Sequence, residues 1–179
     1  MPRYIAFLRA INVGGHNTVK MDFLRQLFGS LGFSNVETFI ASGNVVFETA
    51  SNNAQALERK IETRLREALG YEVATFIRTG AELAAVADYK PFSQSDLNGA
   101  AALNIAFLAD RLDAQSSQKL MALRTTIDDF HIRGREIYWL CRKQQSGSKI
   151  SNLVLEKALG RKSTLRGANT VKKMAAKYS

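Results

Sequence analysis

Cysteine, histidine and proline are all scarce in this chain of 179 residues. The single cysteine, Cys141, excludes an internal disulfide and fits a reducing compartment. With only His16 and His131 beside it, the chain cannot assemble a zinc site from Cys and His ligands. Two prolines and no low-complexity tract are typical of an ordered chain. No residue pattern requires a metal or an organic cofactor, and we predict neither.

Long apolar runs are also missing. The uncharged stretch over residues 99–109 is too short to span a bilayer, and we predict that it forms a buried strand. Arg3 and Arg9 interrupt the apolar N-terminal stretch, which therefore lacks the pattern of a signal peptide. We accordingly expect no membrane partner and a cytoplasmic location.

Acidic residues are rare at the C-terminal end. Residues 131–179 hold twelve Lys and Arg against two Asp and Glu, a balance of +10, whereas residues 1–130 hold thirteen against fourteen, a balance of −1. The C-terminal segment therefore carries the whole net charge of +9. A field concentrated in this way attracts phosphorylated ligands or nucleic acid. A solvated basic surface that only aids solubility explains the same pattern.

Hydrophobic periodicity predicts the order β-α-β-β-α-β in residues 1–79, with helices over 21–31 and 54–69. This is the element order of the ferredoxin-like plait. Residues 80–179 predict β-α-β-β-α and a last helix, without a clear fourth strand, and no sequence identity between the halves indicates a repeat. We therefore predict an α+β protein of two ferredoxin-like (α/β-plait) units, 1–79 and 80–179, with antiparallel sheets and helices, packed into one compact protein.

Two turns rich in Gly, Asn and Ser follow the first and second predicted strands, which run parallel in a plait and therefore end at the same sheet edge. Glycines let backbone N–H groups approach a ligand, and the following helix offers its positive N-terminus. Arg9 closes the first strand on the face that holds Ile5 and Phe7. We predict a shallow anion or polar-ligand site here, although ordinary turns need the same glycines. The candidate residues are Arg9, Asn12, Gly14, Gly15, Ser42, Gly43 and Asn44.

Two further candidate loops lie in the basic segment. Residues 146–152 combine hydroxyls and free N–H groups with Lys149, which suits phosphate, although a capped helix start explains the same residues. The spacing of a Walker A loop is absent. Residues 164–170 predict a loop before the last helix. We predict Arg166 as its anion ligand, although a cap of that helix by Asn169 or Thr170 explains the same loop. The candidate residues in these loops are Lys149, Ser151, Asn152, Arg166 and Asn169.

Few residues have the type and spacing of a catalytic site. His16 has the chemistry of a general base, but no Ser, Cys or carboxylate pairs with it at a diagnostic spacing. Asp128 and Asp129 are interpreted as turn residues rather than a metal site. Cys141 ends an apolar strand, so we expect a buried, unreactive thiol.

Several segments resemble the bacterial domain-of-unknown-function family 1697. They are Phe7–Gly15, Ala41–Phe47, Ser148–Asn152, and Arg166 with Asn169–Val171. The resemblance runs from about Arg3 to the C-terminus, and it implies a pair of α/β-plait domains with no established activity, substrate or cofactor. The chain differs from the family at Ala10, where glycine is usual, and at Gly167-Ala168, where an asparagine-tryptophan pair is usual.

The loops and the charge pattern together predict a binding protein for a phosphorylated or other anionic ligand, either a small molecule or nucleic acid. It would act through its Gly/Ser/Asn loops and its basic C-terminal segment. The alternative is an enzyme acting on a small polar metabolite, with His16 or Lys149 as the acid/base.

Overall fold

The computed structural model describes residues 1–11, 18–40, 43–143 and 147–179. They form two compact units, the first consisting of Met1–Ala84 with Met174–Ser179 and the second of Ala85–Lys173. Each unit contains a four-stranded sheet in which all paired strands are antiparallel. In the part of the chain that is described, no helix has the length and apolar character needed to cross a membrane.

The first unit has the predicted order of strands and helices. Its strands are β1 (Arg3–Leu8), β2 (Ser34–Thr38), β3 (Asn44–Glu48) and β4 (Thr75–Thr79), and its helices are α1 (Met21–Ser30) and α2 (Ala54–Leu69), with α3 (Gly80–Asp88) after β4. The strand order in the sheet is β2-β3-β1-β4, which is the ferredoxin-like arrangement.

The second unit repeats this arrangement with strand order β6-β7-β5-β8. Its strands are β5 (Ala102–Phe107), β6 (Asp128–Arg133), β7 (Glu136–Cys141) and β8 (Thr164–Gly167), and the remaining helices are α4 (Gln94–Asn98), α5 (Ala114–Met121), α6 (Asn152–Leu159) and α7 (Ala168–Tyr178). The prediction of two ferredoxin-like units is thus confirmed. The expected lack of a fourth strand is wrong, because residues 164–167 pair with β5.

Each core lies between the helices and one face of its sheet. In the first unit, the apolar stripe of α2, formed by Leu57, Ile61 and Leu65, packs into one cluster with Ala6 and Phe47 of the central strands. Spacings of four residues place these leucine and isoleucine side chains on one helix face. Burying each large apolar side chain stabilises the fold by roughly 1.5–3 kcal/mol. Trp139, Leu155 and Leu159 belong to the corresponding cluster of the second unit.

Within each sheet, the strands pair in a corresponding register. The tetrapeptide Ile-Ala-Phe-Leu occurs at residues 5–8 and again at 105–108. In the first unit Ile5 lies opposite Arg78 of β4, and in the second Ile105 lies opposite Arg166 of β8. The two units therefore correspond strand by strand, and the expectation that the halves share no sequence identity is wrong.

Candidate functional site

The end of β1 and the turn after β2 lie together, as the plait topology predicts. The Leu8 N–H donates to the Gly43 carbonyl at 2.8 Å. Gly43 adopts φ 78°, and a Cβ on it would lie 3.1 Å from the Leu8 Cβ, so the close approach of the two segments requires glycine. The other candidates of this edge, Asn12, Gly14, Gly15 and Ser42, lie outside the described residues, as does His16.

Arg9 lies just beyond the end of the strand that was predicted to include it. β1 ends at Leu8, and Arg9 lies in the turn that follows, half-buried, where its backbone N–H donates to the Ala74 carbonyl at 2.9 Å. The following residue, Ala10, has φ 58°, in the left-handed region. The backbone therefore changes direction directly after Arg9.

Asn44 closes the turn between β2 and β3. It is fully buried, and its Nδ2 donates to the Phe39 carbonyl at 2.8 Å while the Phe39 N–H donates to the Asn44 carbonyl at 3.0 Å. The side chain therefore satisfies a backbone group that the turn would otherwise leave without a partner. These contacts show that Asn44 stabilises the turn between β2 and β3.

The segment before α6 is held by its own side chains. The Ser151 hydroxyl accepts from the Val154 N–H at 3.3 Å and so caps the helix, and Asn152 exchanges hydrogen bonds with Ser163 at 2.9 and 2.6 Å. The Ser148 hydroxyl donates to the buried Asp128, at 2.8 Å to one carboxylate oxygen. Lys149 is exposed.

The contacts of Asp128 and the burial of Cys141 give both residues a structural role. The Trp139 indole N–H donates to Asp128 at 2.9 Å and the Thr125 hydroxyl donates to it at 2.8 Å, so this carboxylate anchors both β7 and the chain before β6. The Cys141 thiol is buried, and burial raises its pKa. In the described part of the chain, no group of His, Cys, Asp and Glu is able to hold a metal ion.

Arg166 lies in β8 and not in a loop, so the predicted loop over 164–170 is wrong. Its side chain is buried, and it donates to the Thr164 hydroxyl and the Leu165 carbonyl at 2.8 Å each. Burial lowers the pKa of its guanidinium to about 10. Asn169 lies in the first turn of α7 and is exposed. A guanidinium bound by its own strand is poorly placed to meet a ligand from solvent.

A cavity of about 170 Å³ in the second unit lies over the sheet face that carries Ile105 and Tyr138. Its walls come from residues 86–97 and from the start of α7. The interior is mostly apolar and aromatic, and two lysines, Lys90 and Lys172, are part of the lining. The apolar and aromatic lining residues are Val86, Ala87, Tyr89, Pro91, Phe92, Leu97, Leu103, Ile105, Tyr138 and Ala168.

The aromatic walls of this cavity are fixed by polar contacts at their edges. The Tyr138 hydroxyl donates to the Val86 carbonyl at 2.9 Å. The Tyr89 hydroxyl lies 2.7 Å from Nε2 of His131, and the Arg133 guanidinium lies 4.0 Å from the centre of the Tyr89 ring. Burial raises the pKa of Tyr138, so its hydroxyl stays protonated and keeps this bond. These contacts hold the Tyr89 and Tyr138 rings in place at the cavity.

The charge in the cavity has one sign. Lys90 and Lys172 are both exposed at its border, and the described lining contains no Asp or Glu. Sequence reasoning predicted none of these residues as ligands, because the walls come from separate segments. The one available signal was Lys172, which belongs to the basic C-terminal segment.

Sheet order and register define the class: this is an α+β protein of two ferredoxin-like units. The chain belongs to the family described as protein of unknown function, DUF1697, which matches over residues 1–138. Of the segments that carried the resemblance, Phe7–Gly15 and Ala41–Phe47 lie within the match, and those from Ser148 onward lie beyond it.

A solved structure described as a conserved bacterial protein from Streptococcus pneumoniae is similar over its full length. It has 27% sequence identity and a TM-score of 0.78, and the comparison covers 99% of each chain. No curated protein matches the chain. The comparisons thus support the family and the fold of both units.

Proposed function

We propose that the second unit binds a small anionic molecule with an apolar body in the cavity beside Tyr138. The observation that carries this proposal is the combination of an aromatic, apolar interior with two bordering lysines and no acidic lining residue. The apolar walls would bury the body of the ligand, and the ammonium groups of Lys90 and Lys172 would meet its acid group.

The size of the cavity narrows the ligand class. Its volume of about 170 Å³ is below the roughly 300–1,000 Å³ of sites for drug-sized ligands. A single aromatic ring or a short chain that ends in a carboxylate or a phosphate fits this space better than an entire nucleotide does. The ligand class is therefore narrower than the one that the charge pattern predicted.

The proposal keeps the predicted anionic partner and changes the residues that meet it. Among the candidates from the sequence, Lys149, Ser151, Asn152, Arg166 and Asn169 are not part of the cavity lining. Lys172 lies in the basic segment and borders the cavity, so one positive charge of that segment belongs to the proposed site.

Calorimetric titration with phenyl phosphate and with benzoate tests the proposal and distinguishes the two acid groups. Inorganic phosphate and benzyl alcohol serve as controls that carry only the acid or only the ring. We expect at least one ring-bearing acid to bind and both controls to fail. Lys90→Gln and Lys172→Gln should each weaken binding about fivefold, as expected for a partly solvated ion pair worth about 1 kcal/mol.

Ala168→Phe tests the cavity itself, because Ala168 lines it and a phenyl ring would occupy its volume. This variant should abolish binding, whereas Lys173→Gln, an exposed lysine of the same helix outside the lining, should leave it unchanged. Equal affinity in the wild type and in both cavity lysine variants would contradict the proposal.

A nucleic-acid partner gives a different result. Fluorescent single-stranded RNA would bind with a steep salt dependence, since each neutralised phosphate releases counterions. If RNA binds and Ala168→Phe leaves its affinity unchanged while the ring-bearing acids do not bind, the basic surface rather than the cavity is the site, and the proposal is wrong.

A further inference from the structure

A second cavity lies in the first unit, on the face of its sheet that carries Val46 and Glu48. Its volume is about 420 Å³, within the roughly 300–1,000 Å³ range of small-molecule sites. Strands β1, β2 and β3 and the last turn of α7 form its lining. By register, Val46 in this unit corresponds to Tyr138 in the other, since they pair with Ile5 and Ile105.

Two charged residues of this cavity, Arg3 and Glu48, form an ion pair. Arg3 lies 3.4 Å from one oxygen of Glu48 and also donates to the Tyr178 carbonyl at 3.4 Å. The other Glu48 oxygen accepts from Nδ2 of Asn35 at 2.8 Å. Asn35 lies at an irregularity in β2 and has φ 49°, a conformation that asparagine tolerates better than most residues. Arg3, Asn35 and Glu48 therefore form a fixed wall.

Two exposed charged groups remain for a ligand. Glu37 and Lys177 are exposed and opposite in charge, and within the described residues no ion pair joins them. The Tyr178 hydroxyl is buried beside both side chains, and burial raises its pKa.

From this arrangement we infer that the cavity binds a small zwitterion, a free amino acid or a short peptide. Its ammonium group meets Glu37 and its carboxylate meets Lys177. The Lys177 ammonium lies 5.2 Å from the centre of the Tyr178 ring and 6.0 Å from that of Phe39, which restrains it at the cavity.

The two cavities thus lie on corresponding sheet faces and differ in chemistry. Arg3 and Glu48 pair in the first unit at the positions where Leu103 and Leu140 pair in the second unit. Paired charges of both signs favour a ligand that carries both signs, whereas lysines alone favour an anion. This inference does not depend on the function proposed for the second unit.

A thermal-shift screen of the full chain with each protein amino acid provides the test. At about 10 mM, a ligand whose Kd is about 1 mM stabilises the folded protein measurably. We expect at least one amino acid to raise Tm, and its N-acetyl and amide derivatives, which each lack one charge, to lose the effect. Titration calorimetry of that amino acid then compares variants.

Glu37→Gln and Lys177→Gln should each weaken binding at least fivefold. Lys173→Gln, on the same helix but outside the cavity, should bind like the wild type. The inference is overturned if no amino acid raises Tm, if the N-acetyl derivative binds equally well, or if Glu37→Gln and Lys177→Gln match Lys173→Gln. Phenyl phosphate binding by the second unit should be the same in all of these variants.

Discussion

At the scale of the residue, Ala10 occupies a conformation that suits glycine. Its φ of 58° is in the left-handed region, where a Cβ costs roughly 1–2 kcal/mol. The family that the chain resembles usually has glycine at this position. Ala10 follows the half-buried Arg9 and precedes the fully buried Ile11, so the surrounding structure holds the strained turn in place.

Ala10→Gly should therefore stabilise the protein by about 1 kcal/mol, because the relief of strain exceeds the added entropy of the unfolded chain. The free energy of unfolding in urea measures this change. Ala122→Gly is the matched control, since Ala122 has ordinary helical angles and should lose about 0.5–1 kcal/mol. A loss of stability in Ala10→Gly equal to that of the control would contradict the prediction.

Individual site residues were the hardest feature to predict from the sequence. The alternatives left open for two of the loops, a capped helix start and an ordinary turn, describe Ser151, which caps α6, and Gly43, which has φ 78°. It gave no sign that Arg166 is buried, because burial depends on the pairing of β8 with β5. Tyr89 was likewise beyond prediction, since only tertiary structure brings it to the cavity that Lys172 borders.

At the scale of the element, the edge strand β4 is covered by glutamates. Its outward N–H groups at Thr75 and Ile77 donate to Glu62 at 3.2 Å and to Glu58 at 3.0 Å. Glu58 and Glu62 are four residues apart on α2, so they lie on one helix face and match alternate residues of the strand. The Ser163 N–H, just before β8, donates to Glu156 of α6 at 2.8 Å in the same way. Open edges invite pairing with other chains, and these carboxylates block it.

The double variant Glu58→Ala/Glu62→Ala should lose about 2–3 kcal/mol of stability, because two strand N–H groups lose their acceptors. It should also self-associate at concentrations where the wild type does not, through the uncovered β4 edge. Urea unfolding and size-exclusion chromatography measure the two effects.

The matched control is Glu58→Gln/Glu62→Gln, in which each side chain keeps an acceptor oxygen. This variant should stay close to the wild type in stability and in elution volume. Self-association of the glutamine pair to the same extent as the alanine pair would assign the effect to lost charge rather than to the uncovered edge.

The long periodic helix α2 was predictable, whereas the short elements α4 and β8 were not. The leucine and isoleucine spacing of α2 predicted its bounds, Ala54–Leu69, and Gly70 terminates it with φ 83°. α4 and β8 have five and four residues, too few for a period to emerge. β8 also contains an arginine and a glycine, so its strand conformation comes from the hydrogen bonds with β5 rather than from local preference.

At the scale of the whole molecule, the chain has the form of two copies of one unit. Both sheets have the same strand order, and the Leu8 N–H donates to Gly43 at 2.8 Å as the Leu108 N–H donates to Arg135 at 2.9 Å. The repeated Ile-Ala-Phe-Leu occupies the same register in both. Each sheet carries a cavity on the corresponding face, and the side chains around the two cavities differ in charge.

The two ends of the chain contribute to the same unit, because residues 174–179 belong to the first unit with residues 1–84. Met174 and Tyr178 are buried, the Tyr178 ring meets Phe39 edge-on at 6.0 Å, and its carbonyl accepts from Arg3. Deleting residues 174–179 removes two large buried side chains, so we expect a loss of about 3–6 kcal/mol at roughly 1.5–3 kcal/mol each. Urea unfolding of the shortened chain checks this value, and Lys177→Ala, which keeps the segment, should remain near the wild type. An unchanged unfolding midpoint in the shortened chain would mean that residues 1–84 hold their fold without the C-terminal turn.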